Sequence, residues 1–211
     1  MPTLELKTSA YHEASHIVIA WHYGRRIDDA SISKGDQKKG KANIIRLFGN
    51  FPHIPIHEIE REMDIAMAGI AAEEHLAGRK NIKPEWGGTD YPDAVKIAIE
   101  WAKKTGKQLN NDYFMDQSIE VDGIKGIFSQ QDFFDDFGGN VREMMSRPHI
   151  WKCVEAVAEA LLKHRDLNGD EISSVISKTW EEADGENNEE LIEEQKQHAK
   201  ERPWGEWRPE Y

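Results

Sequence analysis

The chain is 211 residues long and carries 27 Lys and Arg against 39 Asp and Glu, a formal net charge of −12. An acidic surface is repelled by a phosphate backbone, and the one basic run, Lys34 to Lys41, is short and lacks interleaved aromatics, so a general nucleic-acid binder is excluded. A single cysteine, Cys153, excludes an internal disulfide framework and a cysteine-based zinc finger. The opening residues Met1 to Lys7 show no basic segment followed by an apolar one, and the longest apolar stretch, Ile17 to Trp21, is far too short to span a membrane. A cytoplasmic protein without membrane contact is expected.

Residues 3–22 have helical periodicity, with Thr3 suited to the N-cap and Gly24 to the stop. Over 27–48 the pattern alternates, is interrupted by a basic turn between Gly35 and Gly40, and resumes, which predicts two short strands. Residues 56–77 carry the strongest helical pattern, with Ile59, Met63, Ala66, Met67, Ile70, Ala71 and Leu76 on one face and Gly78 as terminator. A loop over 79–88 contains Gly87-Gly88 and leads into a helix over about 90–105, capped by Thr89 or Asp90, with Pro92 tolerated in its first turn. The stretch 106–130 has no decisive pattern, and helices are expected over about 131–146, 149–165 and 170–180. Acidic residues dominate Glu181 to Glu194. The expected organisation is therefore a domain over 1–180 and an acidic helical arm with a Trp- and Pro-containing tail over 181–211, mainly α with a small β element.

Chemistry concentrates in Ser9-Ala-Tyr-His-Glu-Ala-Ser-His-Ile-Val, which contains His12-Glu13-x-x-His16. Four helical residues advance about 400°, so the two imidazoles share one face and can share one Zn²⁺. Glu13 projects beside them, placed to take a proton from water at the metal. The flanking Ala10, Ala14, Ser15, Ile17 and Val18 are uncharged, as a helix behind a buried metal requires and a solvent-facing helix does not. A catalytic zinc needs a third protein ligand. His22, His53, His57, His75, His149, His164, His198 and many carboxylates all remain candidates, and periodicity does not choose among them.

Three further features have plainer explanations. Gly35-Asp-Gln-Lys-Lys-Gly-Lys-Ala42 matches the glycine and lysine spacing of a phosphate loop, but it lacks the following Ser or Thr and leads into a strand-like segment, so it reads as a basic turn. Asp166-Leu-Asn-Gly-Asp170 lacks the sixth-position Gly and the later Glu of a calcium loop, and reads as a helix connection with a capping Asp. Cys153, beside Val154 and Val157, belongs to an apolar helix face. Trp204 and Trp207 suit an interaction patch or a fold-back onto the domain.

Tyr11-His-Glu-Ala-Ser-His16 resembles the zinc helix of the peptidase domain in FtsH-type AAA proteases, which usually reads H-E-A-G-H. Ala68-Gly-Ile-Ala-Ala-Glu-Glu74 resembles the family's G-G-R-x-A-E-E helix, and Gly88-Thr-Asp-Tyr-Pro-Asp-Ala-Val95 resembles the segment whose Asp is the third zinc ligand. Val154 to Leu162 and Leu167 to Ile172 resemble the closing helices, so the similarity spans about residues 8–178. Ser15, Ile70 and Val95 depart from the usual Gly, Arg and Thr, the 106–147 region matches poorly, and the ATPase module and membrane helices are absent.

The resemblance implies a helical, zincin-like metallopeptidase fold with one Zn²⁺ per chain, held by His12, His16 and Asp90, and Glu13 as the catalytic base. Asp90 by itself would read as an N-cap or helix-dipole partner. Glu73 and Glu74 fit a solvated helix face, or one of them could instead accept a hydrogen bond from a ligand imidazole. The implied activity is ATP-independent hydrolysis of peptide bonds in unfolded or short polypeptides. Compatible partners are a polypeptide substrate, a separate ATPase or unfoldase that delivers it, and further copies of the chain. The rival reading is a non-catalytic regulatory or adaptor protein that retains the metallopeptidase fold.

Overall fold

Thr3 opens the first helix as its sequence predicts, its Oγ1 accepting from the Leu6 N–H at 3.3 Å. A computed structural model describes residues 3–32, 40–46, 53–78, 90–107, 109, 118–121, 124–127 and 130–184. The first helix, α1 (Leu4–His22), is followed by strands β1 (Ile27–Ile32) and β2 (Gly40–Ile44), then by helices α2 (Ile56–Ala77) and α3 (Asp90–Thr105). A hairpin, β3 (Ser118–Val121) and β4 (Ile124–Ile127), occupies part of the stretch whose sequence pattern was undecided. The chain continues through α4 (Gln130–Phe137), α5 (Gly139–Ser146), α6 (Pro148–His164), the short β5 (Asp166–Asn168) and α7 (Gly169–Asp184). The architecture is mainly helical with a small three-stranded sheet in the order β2-β1-β5.

Two helices form the centre. In α1, every residue from Ala14 to Ala20 is buried; in α2, so is every residue from Glu62 to Glu74. A helix with one apolar stripe buries only that stripe, whereas these are enclosed on all sides. The α1 helix packs on α2 and α6, α2 also carries α3 and α5, and the sheet lies against α1. The small side chains Ala10 and Ala14 on α1 and Ala66, Ala68 and Ala72 on α2 are all fully buried.

The sheet shows a local irregularity with a readable cause. In β1, Ile27, Ala30 and Ile32 are buried while Asp28 and Asp29 are exposed, so strict alternation slips by one residue. The antiparallel register with β2 shifts at the same place, between Ile27 and Asp29, as a bulge requires. On the other edge of β1, Ala30 pairs with Leu167.

Three local expectations are corrected. The helix predicted over 131–146 is two helices, divided at Gly138. Asp166-Leu-Asn forms an edge strand, and the cap of α7 is Asn168 rather than an Asp: its Oδ1 accepts from the Glu171 N–H at 2.9 Å while Glu171 Oε2 accepts from the Asn168 N–H at 2.9 Å. This reciprocal capping box was visible in the N-x-x-E spacing. Finally, the helix expected over about 170–180 is longer and runs from Gly169 to Asp184. The rest of the acidic arm, the tail with Trp204 and Trp207, the basic turn over 33–39 and the Gly87-Gly88 loop lie outside the described residues.

Helix α2 carries an unusual load of enclosed acids: Glu60, Glu62, Asp64, Glu73 and Glu74 are all buried. Each has a partner from another element. Glu60 accepts from the Trp101 indole at 3.1 Å, Glu62 pairs with Arg25 and Arg46 at 3.0 Å each, and Glu74 pairs with Arg142 at 2.7 Å. Asp64 has no cationic partner among the described residues. Its Oδ2 accepts from the Tyr23 hydroxyl and from the Asn140 amide, both at 2.6 Å, and its Oδ1 is buried without a partner among the described residues.

Burial drives Asp64 up to about 7 from an ordinary 3.8, against the lowering effect of those two donors. The folded state thus holds a proton that the unfolded chain releases near pH 4, and stability falls as pH rises from about 4 to about 7. Asp64→Asn keeps the shape and cannot ionise. Chemical denaturation from pH 4 to pH 8 is expected to show the variant gaining on the wild type by a few kcal/mol, on the order of the shift itself, across that window. Parallel pH curves for the two proteins would contradict the assignment.

Candidate metal centre

The helix α1 places His12 and His16 one turn apart on its α2-facing side, with ring centroids 4.8 Å apart. Their Nε2 atoms approach to 3.1 Å. Asp90, the first residue of α3, brings its Oδ2 to 2.7 Å from His12 Nε2 and 3.2 Å from His16 Nε2. Three residues from two helices, separated by 74 to 78 positions, therefore converge on one point. Among the described residues, these three are the group placed to hold a metal ion.

The far side of each imidazole fixes what it offers to that point. His16 Nδ1 lies 2.6 Å from the Ile65 carbonyl oxygen, which can only accept, so Nδ1 carries the proton. His12 Nδ1 lies 2.8 Å from Glu73 Oε1 and donates to it. A neutral ring anchored in this way directs its Nε2 lone pair inward, as a metal ligand must. The three inward atoms repel unless a metal ion or a proton lies among them, and without an ion the His12 imidazole carries that proton and donates it to Asp90 Oδ2. Tetrahedral zinc with bonds of about 2.0–2.1 Å has ligand-to-ligand edges of about 3.3–3.4 Å. The 3.1 and 3.2 Å separations approach that edge; at 2.7 Å the His12–Asp90 pair is closer and would open by roughly half an ångström around such an ion. The donor set fits Zn²⁺, with neutral imidazoles of fixed tautomer and one carboxylate.

The electrostatics of the group agree. Burial by itself would lower His12, but the hydrogen bonds to Asp90 and Glu73 outweigh it and push the imidazole up to about 10. Burial would raise Asp90, yet His16 and His12 hold it far below the usual carboxylate range. The site thus has a strong demand for positive charge. Glu13 is raised by its burial, against the pull of His16 and His12 and a backbone hydrogen bond from Ala42. A carboxylate shifted upward in this way is a better proton acceptor near neutral pH than an ordinary one.

Two glycines make room for these side chains. Gly69 lies on α2 against the His12 ring, where a β-carbon would overlap its Nε2 and Cε1 atoms. Gly40, at the start of β2, lies against the Glu13 carboxylate in the same way. In the sequence, Gly40 is marked only as the end of the basic turn and Gly69 only as part of the helix that resembles the family's G-G-R-x-A-E-E segment, although glycine within a long helix costs about 1 kcal/mol relative to Ala and so signals a close approach. The Ile65 carbonyl had no sequence signal, because every residue carries one.

The structure also sorts the remaining candidates. Glu73 and Glu74 are buried, not a solvated face; Glu73 orients His12, and Glu74 pairs with Arg142 on α5. His22 and His149 pack against Trp180, and His75 against Trp151, while His53, His57 and His164 are exposed. His198 lies outside the described residues. Asp93 turns to Lys96 at 3.3 Å and takes no part in the tripod. Cys153 is buried in the core, as its neighbours predict.

Comparison with protein-family models and with curated proteins finds no match for this chain. Its function is therefore argued from the geometry of the site and from the motif resemblance.

Gly69→Ala isolates the fit between α2 and His12. The substitution favours the helix by about 1 kcal/mol but intrudes on a ring held at both nitrogens. Competition with a chromophoric chelator is expected to show zinc affinity reduced at least about tenfold, the scale of losses when a ligand's supporting contacts are disturbed. The protein should remain folded by circular dichroism. Wild-type zinc affinity in the variant would mean that His12 is not held against Gly69.

Proposed function

We propose that this chain is a zinc-dependent metallopeptidase of FtsH type, whose hydrolysis of unfolded or short polypeptides is itself ATP-independent. The observation that carries this reading is the inward convergence of His12 Nε2, His16 Nε2 and Asp90 Oδ2, with both outer imidazole nitrogens anchored and Glu13 one residue from His12. A structural metal site would be closed by four protein ligands, whereas three leave a coordination position open. A non-catalytic adaptor would have no use for a buried, upward-shifted Glu13 beside such a tripod.

A bound zinc ion would supply Lewis acidity and bring water's pKa towards neutrality. The residues do the rest. Glu13, fixed against Gly40 and the Ala42 N–H, accepts the proton of the attacking water and delivers it to the leaving amine. Glu73 and the Ile65 carbonyl keep both imidazoles in the Nδ1–H form, so neither ring rotates away when substrate arrives. Asp90 offsets one unit of charge at the site. No helix among the described residues is long and apolar enough to cross a membrane.

Elemental analysis of the purified protein is expected to find about one zinc per chain, lost in His12→Ala and in His16→Ala. Asp90→Asn should weaken zinc binding while Asp93→Asn, a change in a half-exposed residue paired with Lys96, leaves it intact. Full zinc in all four variants would overturn the site.

Glu13→Gln tests the chemistry separately. It should keep zinc and fold but lose hydrolysis of an unfolded substrate such as casein by at least about 10²-fold, the usual scale for a lost general base. Undiminished hydrolysis by this variant, or none by the zinc-loaded wild type, would refute the peptidase reading.

A further inference from the structure

Among the described residues, the rings of Phe133, Phe134 and Phe137 are buried in the core. One row is different. The half-buried Tyr11 and Trp151 stack with centroids 5.8 Å apart, and the exposed His75 stacks on the same indole at 4.1 Å. These rings come from three helices, α1, α6 and α2, and none of them contributes to the metal tripod.

The row has an acidic edge. The Trp151 indole N–H donates to Glu155 Oε1 at 3.0 Å, and Glu159 follows one turn later on α6, exposed. The charges that act on the Tyr11 phenol are those of Glu155 and Glu159. A carboxylate offers about four acceptor sites, of which the indole occupies one on Glu155. Aromatic faces with carboxylates at their end match a side chain with an apolar stem and a cationic tip, a lysine or an arginine.

Position gives the row its meaning. Tyr11 immediately precedes His12 on α1, and His75 lies two residues beyond Glu73 on α2. Along both helices the row is within about one turn of the metal centre, at about 1.5 Å of rise per residue. An extended chain advances about 3.3 Å per residue, so a polypeptide crossing the centre would bring side chains a few positions away into reach.

We propose that Tyr11, Trp151 and His75, edged by Glu155 and Glu159, form the subsite that receives a lysine or arginine side chain of the polypeptide substrate. The proposal rests on the peptidase reading for the identity of the ligand, but recognition can be measured without hydrolysis. Rings take the methylene stem, and the two carboxylates take the charge. The contribution is specificity for basic segments near the cleaved bond; it leaves the metal centre itself untouched.

The test uses the zinc-loaded Glu13→Gln protein and labelled peptides that differ at one position, scanned outwards from the centre. Each set carries lysine, norleucine or glutamate there; norleucine keeps the stem and omits the charge. Fluorescence anisotropy should give a Kd for lysine about five- to tenfold below norleucine at one position, with glutamate weakest, and the difference should shrink with added salt. Adding Glu155→Gln and Glu159→Gln should bring lysine to the norleucine value, and Trp151→Ala should weaken both, with zinc content unchanged in each. Equal affinities for the three peptides at every scanned position would overturn the proposal. So would a lysine preference that survives the double Gln variant. A lysine preference in binding, combined with no hydrolysis by zinc-loaded wild type, would defeat the peptidase reading and leave a basic-peptide site standing.

Discussion

The architecture depends on how closely α1 can approach α2. At their crossing, Gly69 faces the His12 ring with no space for a β-carbon, and the two helices are tied across the gap by His12 to Glu73 and His16 to the Ile65 carbonyl. A longer side chain at position 69 would separate the helices or displace the ring. Either movement would turn the Nε2 atoms away from Asp90, whose own position depends on α3 packing on α2. The same contact that forms the core therefore sets the geometry of the candidate metal site at His12, His16 and Asp90. A metal site needs that coupling, because ligand atoms misplaced by an ångström no longer share an ion.

Helix α2 acts as the hub for charge as well as packing. Five buried acids on one helix would be prohibitive if left alone, since moving a carboxylate out of water costs several kcal/mol even after relaxation. Four of them are answered from other parts of the chain: Glu62 by Arg25 after α1 and Arg46 after β2, Glu60 by Trp101 on α3, Glu74 by Arg142 on α5, and Glu73 by His12 on α1. Buried ion pairs of this kind add little net stability, but a wrong arrangement would leave charges unpaired. The acids thus fix which neighbour sits where around α2. Asp64 differs from Glu62, Glu73 and Glu74 in accepting only from neutral groups, Tyr23 and Asn140, and burial drives it up to about 7.

The small sheet contributes one strand to the chemistry. Strand β2 lies on an edge of the β2-β1-β5 order, against α1, and meets Glu13 with a glycine and a backbone N–H. Neither device requires a particular side chain. That explains why a segment with a bland composition can position the Glu13 carboxylate, and why the strand pattern over 27–48 gave no hint of it.

Sequence alone determined the local features. The spacing of His12, Glu13 and His16, the Thr3 cap, the long apolar pattern of 56–77 and the Asn168–Glu171 capping box follow from interactions within one or two turns of a helix. Resemblance added Asp90 and pointed to Glu73 and Glu74, but did not distinguish the carboxylate that orients His12 from the one that pairs with Arg142. Tertiary structure alone decided that distinction, along with the Ile65 carbonyl, the clearance at Gly69 and Gly40, and the α4–α5 break at Gly138. The physical reason is range. Periodicity records which face of an element is apolar, whereas a ligand set depends on which faces meet, and here the meeting residues lie 49 to 78 positions apart.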